Sequence, residues 1–336
     1  MQLPSFIEDH ISQVPALQLL MKMGWQYLTP DQALEARNGR SGNVLLETVL
    51  KQQLQKINSI TYKEKEFEFS EANINTAILA LRDLPVQDGF LSANQVFYDL
   101  VTLGKSIEQA VMGDKKSFSF RYIDWACPEN NIFHVTEEFS VLRSGRNDHY
   151  RPDIVLFVNG IPMVVIECKS PAIKDPIDKA IEQHLRNQQD DGIRSLYLYS
   201  NMLIGLAVHE AKYATTATEK AFWNIWREIF YRNEEETNYL SNLSHLKNAP
   251  LPDSEKAALF SERYKYVLKY FEEQRKTDQI VTEQDKLLYS LCRPARILRL
   301  IFNFIVFDDG IKKIARYQQY FSVNQTLQKI AKKDMN

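Results

Sequence analysis

Residues 150–171 read YRPDIVLFVNGIPMVVIECKSP and constrain the fold more than any other stretch of the chain. Two apolar runs, Ile154 to Val158 and Met163 to Ile166, flank Asn159-Gly160, a residue pair that signals a tight hairpin turn. Both faces of each run are apolar, which predicts central strands covered on both sides; a solvent-facing strand would alternate polar with apolar. Charge gathers at one end of the hairpin: Asp153 opens the first run, and Glu167-Cys168-Lys169 closes the second. Side chains alternate along a strand, so Glu167 and Lys169 point to one face and Cys168 to the other. Ionisable groups at the end of buried strands are costly unless something charged, such as a divalent metal, offsets them.

Register decides whether Asp153 joins Glu167. A regular two-residue loop at Asn159-Gly160 pairs Asp153 with Ile166 and sends it to the opposite face. Two devices correct this. One is a three-residue loop, Asn159-Gly160-Ile161, with Gly160 left-handed. The other is a bulge near Pro162, which has no N–H to give to the ladder. One of the two is expected.

The rest of the chain supplies context. Helical spacing marks Val14 to Lys22, Asn43 to Ile57 with Asn43 as a cap, Thr76 to Leu84 and Ser92 to Thr102. Strand character follows over Phe118 to Ile123 and Ile132 to Leu142. After the hairpin, Asp175-Pro176 opens a helix running to about Gln189, and Ser195 to Tyr199 and Leu203 to Val208 read as strands. Helices, strands, helix, strands in that order indicate an α/β core with a mixed sheet flanked by helices. Residues 231–256 are polar, with the acidic run Glu234 to Glu236 and a Pro-rich end, and read as a loop-rich linker; helices are expected again from Glu255 to Glu273 and from Leu287 to Phe304.

With 41 basic and 43 acidic residues the net charge is −2, so any nucleic-acid contact has to come from a local basic patch or from partners. No run approaches the roughly 18 apolar residues of a membrane span. The first residues lack the basic start and apolar core of a secretion signal. Cys127, Cys168 and Cys292 form neither a disulfide framework nor a zinc pattern. Together these fit a reducing, cytoplasmic setting. The histidines are scattered, and His149 and His184, the two that could approach the charged end of the hairpin, read as incidental.

Pro152-Asp153 with Glu167-x-Lys169 resembles the PD-(D/E)xK nuclease signature. Gln183, on the helix after the hairpin, matches the first position of a Q-x-x-x-Y motif. That motif follows the ExK strand in the nuclease subunits of type I restriction enzymes and related recombination nucleases. The tyrosine position holds Asn187 here. The likeness extends along nearly the whole chain. LYLYSNMLIGLAVHEAKYATT, continuing to Phe222-Trp223-Asn224-Ile225-Trp226, is similar to the family's next strand pair, with Ala214 where the family has glycine. Residues 303–330 are similar to the segment just upstream of the ATP-binding motor in these subunits. No G-x-x-x-x-G-K-[ST] occurs in the chain, which therefore reads as a nuclease domain plus the start of a truncated RecA-like motor domain.

The resemblance implies a PD-(D/E)xK endonuclease domain over residues 1–235, a linker over 236–258 and a helical beginning of the motor over 259–336. It implies Mg²⁺-dependent cleavage of double-stranded DNA, without sequence readout by the nuclease, after ATP-driven translocation. Asp153 and Glu167 would hold Mg²⁺ through hard oxygen ligands, with the Cys168 carbonyl as a third ligand. Lys169 would orient the attacking water and stabilise the transition state, with Gln183 as an accessory residue. ATP belongs to the full-length protein alone, and the implied partners are duplex DNA and the methylation and specificity subunits of a restriction-modification complex. Two other readings of the residues stay open. One is a stand-alone nuclease of the same fold; the other is a non-catalytic assembly module whose site is vestigial.

Overall fold

The structure, a computed structural model, describes residues 8–333. Its centre is a six-stranded mixed sheet whose strands lie side by side in chain order: β1 (Gln26–Leu28), β2 (Phe133–Glu137), β3 (Ile154–Val158), β4 (Ile161–Cys168), β5 (Met202–Ala207) and β6 (Glu210–Ala214). β1 runs parallel to β2, while β2–β3 and β3–β4 are antiparallel. Every residue of β3 and β4 is buried, as their unbroken apolar runs require. The chain divides into two compact units. One comprises Trp25–Glu167 and Gln183–Leu203; the other comprises the described parts of Met1–Gly24, Cys168–Glu182 and Ile204–Asn336.

In the first unit, helices α1 (Glu47–Ile57), α2 (Glu71–Arg82) and α3 (Phe90–Leu103) bring apolar faces to the core. Trp25 meets Phe133 edge-on at 5.3 Å, and Phe139 meets Phe157 at 5.2 Å. The β3–β4 turn is fixed by Asn159. Its backbone N–H and its side-chain oxygen both pair with Ile132, and its amide donates to the Tyr122 carbonyl at 2.9 Å. Asn159 and Gly160 both sit at positive φ, 53° and 83°, the backbone of a type I′ turn. The Gly160 carbonyl accepts from Leu46 N–H at 2.9 Å, which joins the turn to the start of α1.

The second unit is mostly helical, with helices at Val14–Lys22, Asn233–Asn248, Asp253–Leu259, Lys265–Gln274, Glu283–Leu291, Pro294–Phe304 and Tyr317–Lys333. Its apolar centre includes Trp226 packed on Tyr213 and Tyr320, with the Tyr213 hydroxyl donating to the Ala315 carbonyl at 2.8 Å. Gln284 reaches Ser12 through two hydrogen bonds, at 2.7 and 2.9 Å.

Four expectations need correcting. Asn43 does not cap the helix that ends at Ile57: α1 begins at Glu47 behind Leu46, and the Asn43 side chain accepts from Leu45 N–H at 3.1 Å instead. Ser195 to Tyr199 is not a strand; Arg194–Tyr197 forms one helical turn. A strand would send Tyr197 and Tyr199 to the same face, whereas the turn lets their hydroxyls find separate buried partners, His184 and the Leu81 carbonyl. The segment read as loop-rich is largely helical over Asn233–Asn248. Glu234, Glu235 and Glu236 lie in its first turn, where negative charge favours the helix dipole. Its polar composition reflects a helix that buries one apolar side chain, Leu243. The Phe118 strand exists as Asp114–Phe120, but it pairs with Lys105–Val111 in a separate two-stranded sheet.

These contacts make two predictions. A Cβ on Gly160 would stand 2.7 Å from the Leu46 carbonyl oxygen and 3.0 Å from Leu50 N, at a φ that costs an L-residue about 1–2 kcal/mol. Gly160→Ala should therefore lower the unfolding free energy by that amount plus the cost of the clash, and move the urea midpoint down with it. An unchanged midpoint would rule out the turn described here. The second concerns His134 on β2, whose imidazole burial pushes down to about 4 from 6.5. The fold keeps it neutral while the unfolded chain takes up a proton. Its contribution is complete above pH 6.5 and drains away as pH falls towards 4, on the order of 3 kcal/mol in all. Stability measured across that window should fall more steeply in the wild type than in His134→Gln; parallel curves would exclude this histidine as the cause.

Candidate active site

β3 and β4 pair as Ile161 with Val158 and Pro162 with Phe157, then shift between Pro162 and Val164 so that Ile166 faces Ile154. The loop thus has two residues, and a bulge at Met163 supplies the correction. Pro162 has no N–H for the ladder, which makes its neighbourhood the cheapest place to break pairing. Carried one rung past its last pair, Ile154 with Ile166, this register sets Asp153 opposite Glu167. Asp153 is 7% exposed and Glu167 fully buried. The Asp153 carbonyl accepts from Glu138 N–H at 3.1 Å, tying the residue to the end of β2.

Behind Glu167 lies helix α4 (Pro176–Asn187), which begins where Asp175-Pro176 predicts. Asn187, in its last turn, donates from its side-chain amide to Glu167 Oε1 at 3.3 Å. The same amide lies 3.5 Å from the hydroxyl of Tyr197, which is 3.0 Å from His184 Nδ1. His184, Asn187 and Tyr197 are all buried. Burial, then the negative charge of Glu167 and to a lesser degree that of Asp153, push the Tyr197 hydroxyl far above its ordinary pKa. It stays protonated, and both carboxylates act on that one hydroxyl. His184 is therefore a member of a buried network rather than incidental. Gln183 is half-buried on the same helix, and among the described residues its side chain makes no hydrogen bond. His149 is exposed and bonded to Ser41 at 2.8 Å.

Lys169 follows directly on β4, its N–H donating to the Leu206 carbonyl at 2.8 Å. Its ammonium, 12% exposed, donates to the Cys168 carbonyl at 2.6 Å and pairs with Glu8 at 3.3 Å.

Among the described residues no three His, Cys, Asp or Glu side chains cluster in a way that could hold a metal. What Asp153 and Glu167 offer is two carboxylates, an all-oxygen pair. That suits a hard divalent cation that keeps part of its water, and not zinc or copper.

Sequence reasoning missed Glu8 and Tyr197. Nothing in the sequence marked Tyr197: it meets Asn187, ten residues earlier, only because the turn Arg194–Tyr197 brings its hydroxyl to 3.5 Å from that amide.

The family described as type I restriction enzyme R protein N terminus matches residues 5–222. The type I restriction enzyme HindI endonuclease subunit of Haemophilus influenzae is 26% identical over 95% of the chain. Two Methanocaldococcus jannaschii proteins, named for the MjaIXP and MjaVIIIP type I restriction enzyme endonuclease subunits, are 24% and 26% identical over 97% and 93% of it. The chain spans about a quarter of the length of these curated relatives (28%, 26% and 24%).

Tyr197→Phe should destabilise the fold by about 1–3 kcal/mol, because it strips a buried hydrogen-bond partner from His184 and Asn187. Urea unfolding of the variant measures this. A neutral result would mean that the hydroxyl does not bind the network together.

Proposed function

Because the chain belongs to the family of type I restriction enzyme R protein N-terminal regions, we propose that it is a Mg²⁺-dependent endonuclease acting on double-stranded DNA. One observation carries the reading: the Met163 bulge sets two buried carboxylates, Asp153 and Glu167, on one rung at the end of the central hairpin. Two buried carboxylates side by side are costly to desolvate, and a fold has little reason to keep them without a cation.

In this reading Asp153, Glu167 and the Cys168 carbonyl hold Mg²⁺. When bound, the ion screens phosphate charge and lowers the pKa of water. The protein's own groups do the rest. Lys169 carries its positive charge at the end of the same strand, where it orients the nucleophilic water and offsets charge developing on the phosphate oxygens. Water forms a new P–O bond and gives up a proton to solvent as one ester P–O bond breaks, and the departing alkoxide takes up a proton from solvent. Asn187, backed by Tyr197 and His184, holds the Glu167 carboxylate in one orientation, and Gln183 is an accessory residue on the same helix.

The relatives are about four times as long as this chain, and the remaining roles rest on them. Residues 1–235 serve as the nuclease domain, 259–336 begin a translocating motor, and 236–258 link the two. ATP is used by that motor in the full-length protein. Methylation and specificity subunits choose the DNA site, and cleavage itself is non-specific. The setting is the cytoplasm.

Plasmid cleavage with Mg²⁺, in the assembled ATP-fuelled complex, tests the assignment. Asp153→Ala and Lys169→Ala should each cut at least about 100-fold more slowly. ATP hydrolysis should continue in both. Undiminished cutting by Asp153→Ala would remove the proposed site.

A further inference from the structure

The ring of Tyr150, three residues before Asp153, carries two guanidinium groups: Arg143 Cζ lies 4.3 Å and Arg186 Cζ 4.8 Å from its centre. The two arginines differ in what else they hold. Arg143 is 12% exposed and pairs with Asp148 and Asp191, each at 2.8 Å. Arg146 shares Asp191 at 3.2 Å. Arg186 is exposed and has no carboxylate partner among the described residues; its one hydrogen bond is a long one, 3.5 Å, to Asn187 Oδ1. Arg151, also exposed and without a carboxylate partner among the described residues, stands two positions before Asp153.

Arg186 lies at the candidate site, and Arg151 is two positions along the chain from Asp153. Asn187, which Arg186 touches, donates to Glu167. The hydroxyl of Tyr197 responds to Glu167, to Asp153 and, in the opposite sense, to Arg186. A guanidinium stacked on a ring keeps its N–H edge free, and that planar fork matches two oxygens of a phosphate. With a net charge of −2 the chain has no general attraction for DNA, so a duplex has to be held by a few local cations that no acid neutralises.

We propose that Arg186, supported by Tyr150 and joined by Arg151, is the phosphate clamp that seats duplex DNA over Asp153 and Glu167. The proposal rests on the nuclease reading and adds to it the residues that grip the substrate. The clamp is a backbone contact and carries no sequence preference, as a non-specific cutter requires.

The test is fluorescence anisotropy of a duplex of about 30 base pairs with this chain, in EDTA so that nothing is cut, across a salt series. Arg186→Ala should weaken binding about 10-fold and flatten the plot of log affinity against log salt by about 0.9, one phosphate's worth. Tyr150→Ala should weaken binding in the same direction. Arg186→Lys should keep the salt slope while recovering only part of the affinity, since a lysine neither forks nor stacks in the same way. Arg146→Ala, whose guanidinium is already paired with Asp191, should bind as the wild type does. Arg186→Ala with unchanged affinity and slope overturns the clamp, whatever Asp153→Ala does, and so does a wild-type chain that fails to hold the duplex at low salt. Asp153→Ala that cuts DNA in the assembled complex as the wild type does overturns the nuclease reading, whatever Arg186→Ala does.

Discussion

One extra residue in a buried strand decides the chemistry available to this chain. Without the bulge at Met163, the Asn159-Gly160 turn would pair Asp153 with Ile166, and the two carboxylates would lie on opposite faces of the sheet. With it, they stand on one rung. The bulge depends on Pro162, which cannot donate to the ladder, and on a turn that has no freedom to slide. Asn159 is bonded to Ile132 and Tyr122, and the Gly160 carbonyl receives Leu46 N–H. Residues distant in sequence thus hold the register that brings Asp153 and Glu167 together.

The surroundings of Glu167 show how a fold keeps a buried carboxylate in place. A short asparagine in the last turn of α4 touches it, and behind that asparagine a tyrosine and a histidine complete a hydrogen-bonded chain. The Tyr197 hydroxyl stays protonated because burial and both carboxylates oppose its ionisation, so it remains available as a donor. Tyr197 is fully buried and cannot stack on a base. Its role is positional, and grip on a substrate falls to exposed groups such as Arg186.

The hairpin, its register and the helix opening at Pro176 were legible in the sequence because each rests on local chemistry: β-branched runs, a left-handed turn pair, a proline without N–H and a proline at a helix start. The Tyr197 network was not legible. It joins residues whose adjacency arises only when the turn Arg194–Tyr197 packs beside the end of α4, and the aromatic run SLYLYS has strand propensity that tertiary contacts override. Strand β1 was missed for a different reason. It has three residues, too few to show a period, and its partner β2 lies more than a hundred positions away. The helix Asn233–Asn248 was hidden by its own composition, since a helix that buries only Leu243 has almost no apolar stripe to read.

The central claim is that Asp153 and Glu167, brought to one rung, form a divalent-cation site. Titration calorimetry of this chain with Mg²⁺ tests it most directly. The account predicts a saturable binding event that disappears in Asp153→Asn and in Glu167→Gln and persists in Lys169→Ala. Wild-type binding in either carboxylate variant, with both still folded, would contradict it.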